Sequence, residues 1–559
     1  MSLHRRSSTA LVLLVLVVVA VAACSSSTAS KSDGASTTSR TATGTPAKFV
    51  RPGCTTARGL APKSAAADPA KPAETDITSF DGTLIRAHWF PNPSATKAKA
   101  MPTVLKGPGW SQPGDVNTAS KGDGIFGDLN IANLWAEGYN VLTWDPRGFG
   151  KSGGVVSTND PNHEGKDTQV LVDWVAAQLG VQLDAPGDPR MGMVGGSYGG
   201  DIQIVLATQD CRVDAIVPTI AWHSLSTSLY KADTVKQGWG DQLYGFAKNF
   251  KLDPHITSAY DSGHATGAIS AEDAAWFKSR GPGDAVSRIT IPTLFIEGTV
   301  DTLFTLGEAV TNYEVLKAKG VPTAMIWFCG GHGVCLTKAG DETYNGRAAI
   351  GWLARYVKND TAVKLGPGFS TVDQNGDRFV SDSYPPALGA PVTAKGSGSL
   401  ALAATTVAFA NPAPGAPVAA LGSVANSITP ARATNGLDVT VDFPKSALVL
   451  GAPKLTVTYT GTTPPGEKPT RVFAQIVDPA TGLVLGNQIT PMKVELDGAS
   501  HTLTVPLELV VFSATAGAKL TLQLVASTVA YAHPRLGGNV DFTAIDLELP
   551  TTTGRRPAG

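Results

Sequence analysis

Pro189-Arg190-Met191-Gly192-Met193-Val194-Gly195-Gly196-Ser197-Tyr198-Gly199-Gly200 is the stretch that decides the fold of this 559-residue chain. An apolar run over 190–195 stops at a Gly-x-Ser-x-Gly turn built from Gly195, Ser197 and Gly199, and a helical pattern over 199–209 follows. A strand that turns this sharply into a helix strains the backbone of the central serine. It also draws neighbouring chain so close that only glycine fits beside it. The turn lifts the Ser197 hydroxyl above a sheet, and the start of the helix offers its N–H groups to developing negative charge.

A nucleophilic serine needs a base, and the base needs an orienting group. In this layout the chain order is Ser, then Asp or Glu, then His. Asp301 lies in Glu297-Gly298-Thr299-Val300-Asp301, directly after an apolar run and ahead of a helical one. His332 lies in Cys329-Gly330-Gly331-His332-Gly333, also just after such a run. Both are expected on strand-end loops at the edge that carries Ser197. Asp301 could also cap the helix that follows it, and Glu297 is a second, weaker choice of acid within the strand end. The oxyanion hole needs two N–H donors. The amide of Tyr198, next after the nucleophile, is the first. The second is expected from Gly107-Pro108-Gly109-Trp110; Pro108 has no N–H, so the amide of Trp110 is assigned.

Seven short apolar runs, at 84–90, 102–106, 139–144, 190–195, 213–219, 292–297 and 322–328, read as strands apolar on both faces, as a buried parallel sheet requires. Helical patterns at 165–180, 199–209, 305–319 and 342–358 lie between and after them. Strands alternating with crossover helices predict a doubly wound α/β sheet. The interval 222–290 breaks this rhythm and reads as a helical cap over the carboxyl ends of the strands, where such sheets bind ligands. Its Trp222, Tyr230, Trp239, Tyr244, Phe246 and Phe250 are candidates for a substrate pocket or for cap core. After about 365 the character changes. Residues 386–435 are dense in Ala, Gly, Pro, Ser and Thr, and from 437 onward short alternating runs predict an antiparallel β-sandwich. The expected organisation is a signal over 1–23, a tether over 24–48, a catalytic domain over 49–365 with its cap at about 222–290, and an all-β domain over 366–559.

The amino terminus carries Arg5 and Arg6 and then 14 uncharged, mostly aliphatic residues, Ala10 to Ala23. That is the pattern of a secretory signal, short of the ~20 residues that span a bilayer. Val21-Ala22-Ala23-Cys24 resembles the bacterial lipoprotein lipobox, which implies diacylglyceryl attachment at Cys24 and anchoring at the outer face of the cell membrane. Ordinary cleavage after an A-x-A-like site is the alternative. Residues 25–48 hold 13 Ser or Thr and no large apolar residue, as a flexible tether would. Export favours disulfides. Of the four other cysteines, Cys329 and Cys335 are expected to pair locally and Cys54 to pair with Cys211, metal ligation lacking any supporting histidine spacing. With 45 basic and 46 acidic residues the net charge is −1, which gives no field to attract nucleic acid.

The chain resembles the α/β-hydrolases of the X-prolyl dipeptidyl-peptidase and cocaine-esterase family. The resemblance rests on Asp145-Pro146-Arg147-Gly148-Phe149-Gly150-Lys151-Ser152-Gly153-Gly154, the helix from Glu164 to Trp174, Gly195 to Gly200, Pro292 to Asp301 and Gly330 to Gly333. It implies a helical cap inserted before the acid, a C-terminal jelly-roll-like domain, and Ser197, Asp301 and His332 as the triad. Family members often donate an oxyanion hydrogen bond from a tyrosine after the strand matching 102–106, and this chain has no tyrosine there. Asp145 and Arg147 are expected to brace a loop. The implied function is an exported serine hydrolase acting on a small-molecule or peptide substrate through an acyl-enzyme, without metal or organic cofactor. An esterase or acyltransferase for envelope lipids is one alternative; a non-catalytic surface-binding lipoprotein is another.

Overall fold

The computed structural model describes residues 71–119, 129–407, 427–553 and 556–557. The signal over 1–23, Cys24, the tether over 24–48 and Cys54 lie outside the described residues. Ten strands build the main sheet: β1 (Ala73–Thr78), β2 (Leu84–Phe90), β3 (Thr103–Gly107), β4 (Asn140–Trp144), β5 (Met191–Gly196), β6 (Ala215–Thr219), β7 (Thr293–Gly298), β8 (Thr323–Phe328), β9 (Phe369–Val372) and β10 (Arg378–Ser381). Their spatial order is β1-β2-β4-β3-β5-β6-β7-β8-β9-β10, and Arg556–Pro557 pairs onto the β10 edge. The sheet is parallel from β4 through β9, while β1, β2 and β10 run antiparallel to their neighbours.

Side-chain alternation explains the apolar runs. Val104, Val141, Val194, Val217, Leu294 and Ile326 face one core, closed by α1 (Ile131–Ala136) and α9 (Tyr344–Tyr356). Their neighbours Leu105, Leu142, Met193, Ile216, Phe295 and Met325 face the opposite core, closed by α2 (Glu164–Ala176), α3 (Tyr198–Gln209) and α8 (Leu306–Ala318). With helices on both faces, each central strand is buried on both sides, so its sequence reads as continuously apolar. This is the predicted α/β-hydrolase-like layout. Between β6 and β7 the cap contributes α4 (Leu225–Leu229), α5 (Gln237–Ala247), α6 (Pro254–Thr266) and α7 (Ala271–Lys278).

The boundary expected at 365/366 needs correction. β9 and β10 lie beyond it yet belong to the main sheet, and the rings of Phe369 and Tyr384 pack against Trp327 of β8. A tight turn over 373–377, held by Asp373 accepting from the amides of Asn375 and Asp377, joins the two strands. The C-terminal domain is the predicted sandwich. One four-stranded antiparallel sheet runs Val392–Ala401, Asn539–Leu549, Lys454–Thr462, His501–Pro506; the other runs Leu437–Asp442, Lys519–Val525, Arg471–Val477, Val484–Lys493. Inward residues of both sheets share one core, with Leu455, Val457 and Ile545 from the first and Val441, Leu522 and Val472 from the second. Strand Val392–Ala401 falls in the Ala/Gly/Pro-dense interval that offered no strand signal. His501–Pro506 and Val510–Ala514 fall in different sheets, the latter pairing with Ala447–Gly451.

Candidate active site

Ser197 stands at the junction of β5 and α3 with φ 56° and ψ −120°, a strained backbone for a residue with a side chain. Three contacts hold it there. Its amide donates to Thr219 O (2.9 Å), and its carbonyl accepts from the amides of Gly200 and Asp201 (both 2.9 Å). The glycines answer to crowding: a Cβ on Gly199 would sit 2.2 Å from Gly107 O. Gln203, buried in α3, completes the brace by donating to Gly195 O (3.1 Å) and Gly199 O (2.9 Å) while accepting from the Val217 amide (3.0 Å).

The three predicted side chains converge. His332 Nε2 is 2.8 Å from Ser197 Oγ, and His332 Nδ1 is 2.6 Å from Asp301 Oδ2. Asp301 is fully buried. Its Oδ1 accepts from the amides of Leu303 (2.9 Å) and Phe304 (2.8 Å), and its Oδ2 also accepts from the His332 amide (2.9 Å). These backbone donors fix the carboxylate plane, so one oxygen is aimed at the imidazole. The arrangement selects the tautomer with the proton on Nδ1, leaving Nε2 to accept from the serine. Glu297, the second choice of acid, lies inside β7 and accepts from the next amide, Gly298 (3.1 Å). Burial, with Asp301 adding to it, pushes its carboxyl well above the usual range. The Trp239 and Phe304 rings stand edge-on to the imidazole, with centroids at 5.8 and 5.1 Å. Cys329 and Cys335 form a disulfide with Cα atoms 5.4 Å apart, closing the loop that carries His332. Cys211 is disulfide-bonded as well; its expected partner Cys54 lies outside the described residues.

Ser197 opens onto a cavity of about 120 Å³ between the sheet edge and the cap. Of the pocket candidates, Trp222, Tyr230 and Tyr244 line it, as does Trp110. Trp239, Phe246 and Phe250 do not. The indole of Trp239 instead donates to Thr302 Oγ1 (3.0 Å) beneath the histidine loop, Phe246 is exposed, and Phe250 packs on Phe149. The rest of the wall is mostly aliphatic or aromatic, including Leu225, Leu229, Leu243, Ile256 and Phe277, and none of the described lining residues is Asp or Glu. Lys236 lines it too. Burial lowers its ammonium pKa to about 8, and its Nζ donates to Leu303 O (2.8 Å).

Behind the wall, Tyr198 is tied down by residues the motifs did not reveal. Asn159 Nδ2 donates to Tyr198 O (2.8 Å), the Asn159 amide donates to Tyr198 Oη (3.1 Å), and that hydroxyl reaches Glu164 Oε1 (3.3 Å). Burial, aided by Asp167, pushes the Glu164 carboxyl up to about 8. The bracing expected of Asp145 and Arg147 is present. Asp145 accepts from the amides of Gly114 (2.8 Å) and Lys151 (2.7 Å), and Arg147 bridges Asp167 and Asp81, each at 2.7 Å.

The comparisons with known proteins agree with this geometry. The family X-Pro dipeptidyl-peptidase (S15 family) matches residues 81–334, which contain all three triad residues. An aminopeptidase from a marine sediment Thaumarchaeota archaeon has a similar structure: TM-score 0.62 at 12% identity, covering 89% of this chain and 99% of that one. An α-amino acid ester hydrolase gives TM-score 0.64 at 12% identity, covering 88% and 98%. A CocE/NonD family hydrolase from Staphylococcus aureus gives 0.60 at 15% identity, covering 86% and 93%. At these identities the likeness establishes a shared fold over most of both chains. No curated protein sequence matches the chain. The family match and the fold together make the chain a hydrolase of the serine type.

Proposed function

We propose that this serine hydrolase of the X-Pro dipeptidyl-peptidase and CocE/NonD type cleaves esters with an uncharged, apolar acyl group, forming an acyl-enzyme on Ser197. The observation that carries the reading is a Ser197–His332–Asp301 chain of 2.8 and 2.6 Å contacts opening onto a wall whose described residues include no carboxylate. His332 Nε2 takes the Ser197 proton as Oγ attacks the acyl carbon. Asp301, already held by three amides, stabilises the imidazolium without reorganising. The tetrahedral oxyanion is received by the amide of Tyr198 at the start of α3, where N–H groups lack intrahelical acceptors, and by the amide of Trp110 beside it. His332 then returns the proton to the leaving alcohol. Water repeats the sequence to release the acid and restore the serine. An X-Pro dipeptide would bring an α-ammonium into this cavity, where no carboxylate among the described lining residues meets it and Lys236 opposes it. Desolvating that charge unpaired would cost several kcal/mol.

A fluorophosphonate probe tests the nucleophile. Wild type should label and Ser197→Ala should not; equal labelling of both overturns the reading. A panel of p-nitrophenyl esters of graded length beside X-Pro-p-nitroanilides tests the substrate class, and faster turnover of the anilides would reject the ester assignment. Export and anchoring through Cys24 belong to the same proposal, supported by the signal-like run to Ala23 and the lipobox-like Val21–Cys24. The expected result is incorporation of labelled fatty acid in the wild type and its loss in Cys24→Ser; a wild type without label removes the anchor.

A further inference from the structure

Three consecutive residues of the β-domain touch both loops that carry the triad. Strands Arg471–Val477 and Val484–Lys493 pair in register at Gln475↔Ile489 and at Val477↔Val484, so five steps on one strand answer two on the other. The excess bulges outward over 485–488. Gly486 and Asn487 both take left-handed backbone, with φ of 60° and 56°. The Gly486 backbone comes so near the acid loop that a Cβ would lie 2.7 Å from Thr299 O. Asn487 Nδ2 donates to Val334 O (2.7 Å), two residues past His332 and inside the loop closed by Cys329–Cys335. Gln488 Nε2 donates to the backbone carbonyl of Asp301 itself (2.8 Å). Both amide side chains are buried, and Leu483 beside them shares a core with Leu303, Phe304 and Val334.

We infer that the 485–488 bulge is a clamp that sets the separation of Asp301 and His332, making Asn487 and Gln488 positioning residues for catalysis. The inference rests on the triad reading above. The reasoning is geometric. Asp301 and His332 ride on separate strand-end loops, and the imidazole works only while its Nδ1 meets one carboxylate and its Nε2 meets the serine. A misplacement of about 1 Å in such a constellation costs on the order of 10²-fold in rate. Within one short span, the bulge supplies a donor to each loop, and Leu483 just before it packs with residues of both. Other polar side chains of the sandwich pair across its own strands, as Gln475 with Gln523 (2.9 Å), or reach the cap, as Arg471 Nε donating to Thr234 Oγ1 (2.8 Å). At the bulge they reach the backbone of the two triad loops.

Gln488→Leu keeps the volume and removes the donor; Asn487→Asp keeps the shape and the tolerance of left-handed backbone and removes the other. Each full-length variant is assayed on a p-nitrophenyl ester beside wild type and Ser197→Ala, with thermal unfolding measured in parallel. The expected result is kcat reduced at least tenfold with KM within threefold, a matching drop in the rate of fluorophosphonate labelling, and a melting temperature within a few degrees of wild type. A variant that folds and retains wild-type kcat and labelling rate overturns the clamp. Should Gln488→Leu fail to fold, Asn487→Asp gives the same decision. A wild type that neither hydrolyses nor labels condemns the triad reading instead, so the two failures are distinguishable.

Discussion

The two halves of the site are built on opposite principles. The triad loops are held through their main-chain groups, met by other backbone and by the Asn487 and Gln488 amides. Asp301 accepts from three amides, Ser197 is fixed through Thr219 O, and glycine stands where chain meets chain at Gly199 and Gly107. The cavity in front of them is made of side chains, contributed largely by cap helices and chosen for bulk rather than for hydrogen bonds. Chemistry needs a position accurate to a fraction of an ångström, and fixed main-chain dipoles supply it. Selecting an apolar acyl group needs volume and dryness, which interchangeable hydrophobic residues supply. Changes on the first side should therefore alter rate on every substrate, and changes on the second should alter ranking among substrates.

The largest expected break is Asp301→Asn. It removes the charge that orients the imidazole and favours the wrong tautomer, and kcat should fall ~10³-fold or more on all esters alike. A loss confined to long-chain esters would contradict the division drawn above. The cap side is sharpened at Gly240, which lines the cavity and where a Cβ meets nothing within 4 Å. Gly240→Leu should lower kcat/KM for long or bulky acyl groups by about tenfold and leave short ones within about twofold. A methylene-scale change in a pocket is worth ~1–3 kcal/mol. Helix α5 itself should gain ~0.5–1 kcal/mol from losing the glycine. A uniform rate loss across the panel would place Gly240 with the chemistry instead.

The smallest effect on activity is expected at Glu164, behind Tyr198, where the change is in stability. Its carboxyl pKa is raised to about 8 by burial, against 4.5 for a free glutamate. Below about pH 4.5 it is protonated whether the chain is folded or not. Between about 4.5 and 8 only the unfolded chain releases the proton, so stability falls as pH rises, by up to ~1.4 kcal/mol per pH unit, and then levels off. Glu164→Gln should flatten that decline without changing the ranking of esters. Denaturant midpoints taken from pH 5 to 8 provide the check, and parallel profiles for the two proteins would refute it.

The same contrast decides what could be read in advance. Ser197, Asp301 and His332 were legible because each follows a strand buried on both faces, which writes itself as an apolar run ended by glycine. The cap could be placed as an insertion, but its aromatic residues could not be sorted. Trp222 and Trp239 look alike in sequence, and only the partner found by the Trp239 indole, Thr302, takes it out of the pocket. Strand Val392–Ala401 was hidden because its Lys, Gly and Ser positions carry no alternating apolar signal. β9 and β10 were assigned to the wrong domain because the Asp373–Asp377 turn reads like a linker. Asn487 and Gln488 were illegible for a further reason: a side-chain amide has no pattern that names the distant carbonyl it will meet.

Those two amides also bear on the order in which the molecule becomes whole. A ribosome delivers Ser197, Asp301 and His332 long before it reaches residue 488, so a nascent or truncated chain can possess every reacting atom while its acid and imidazole loops still lack their donors from the sandwich. Hydrolytic competence then arrives only once the sandwich has emerged and folded, and loss of that domain would silence the enzyme without touching a single catalytic side chain.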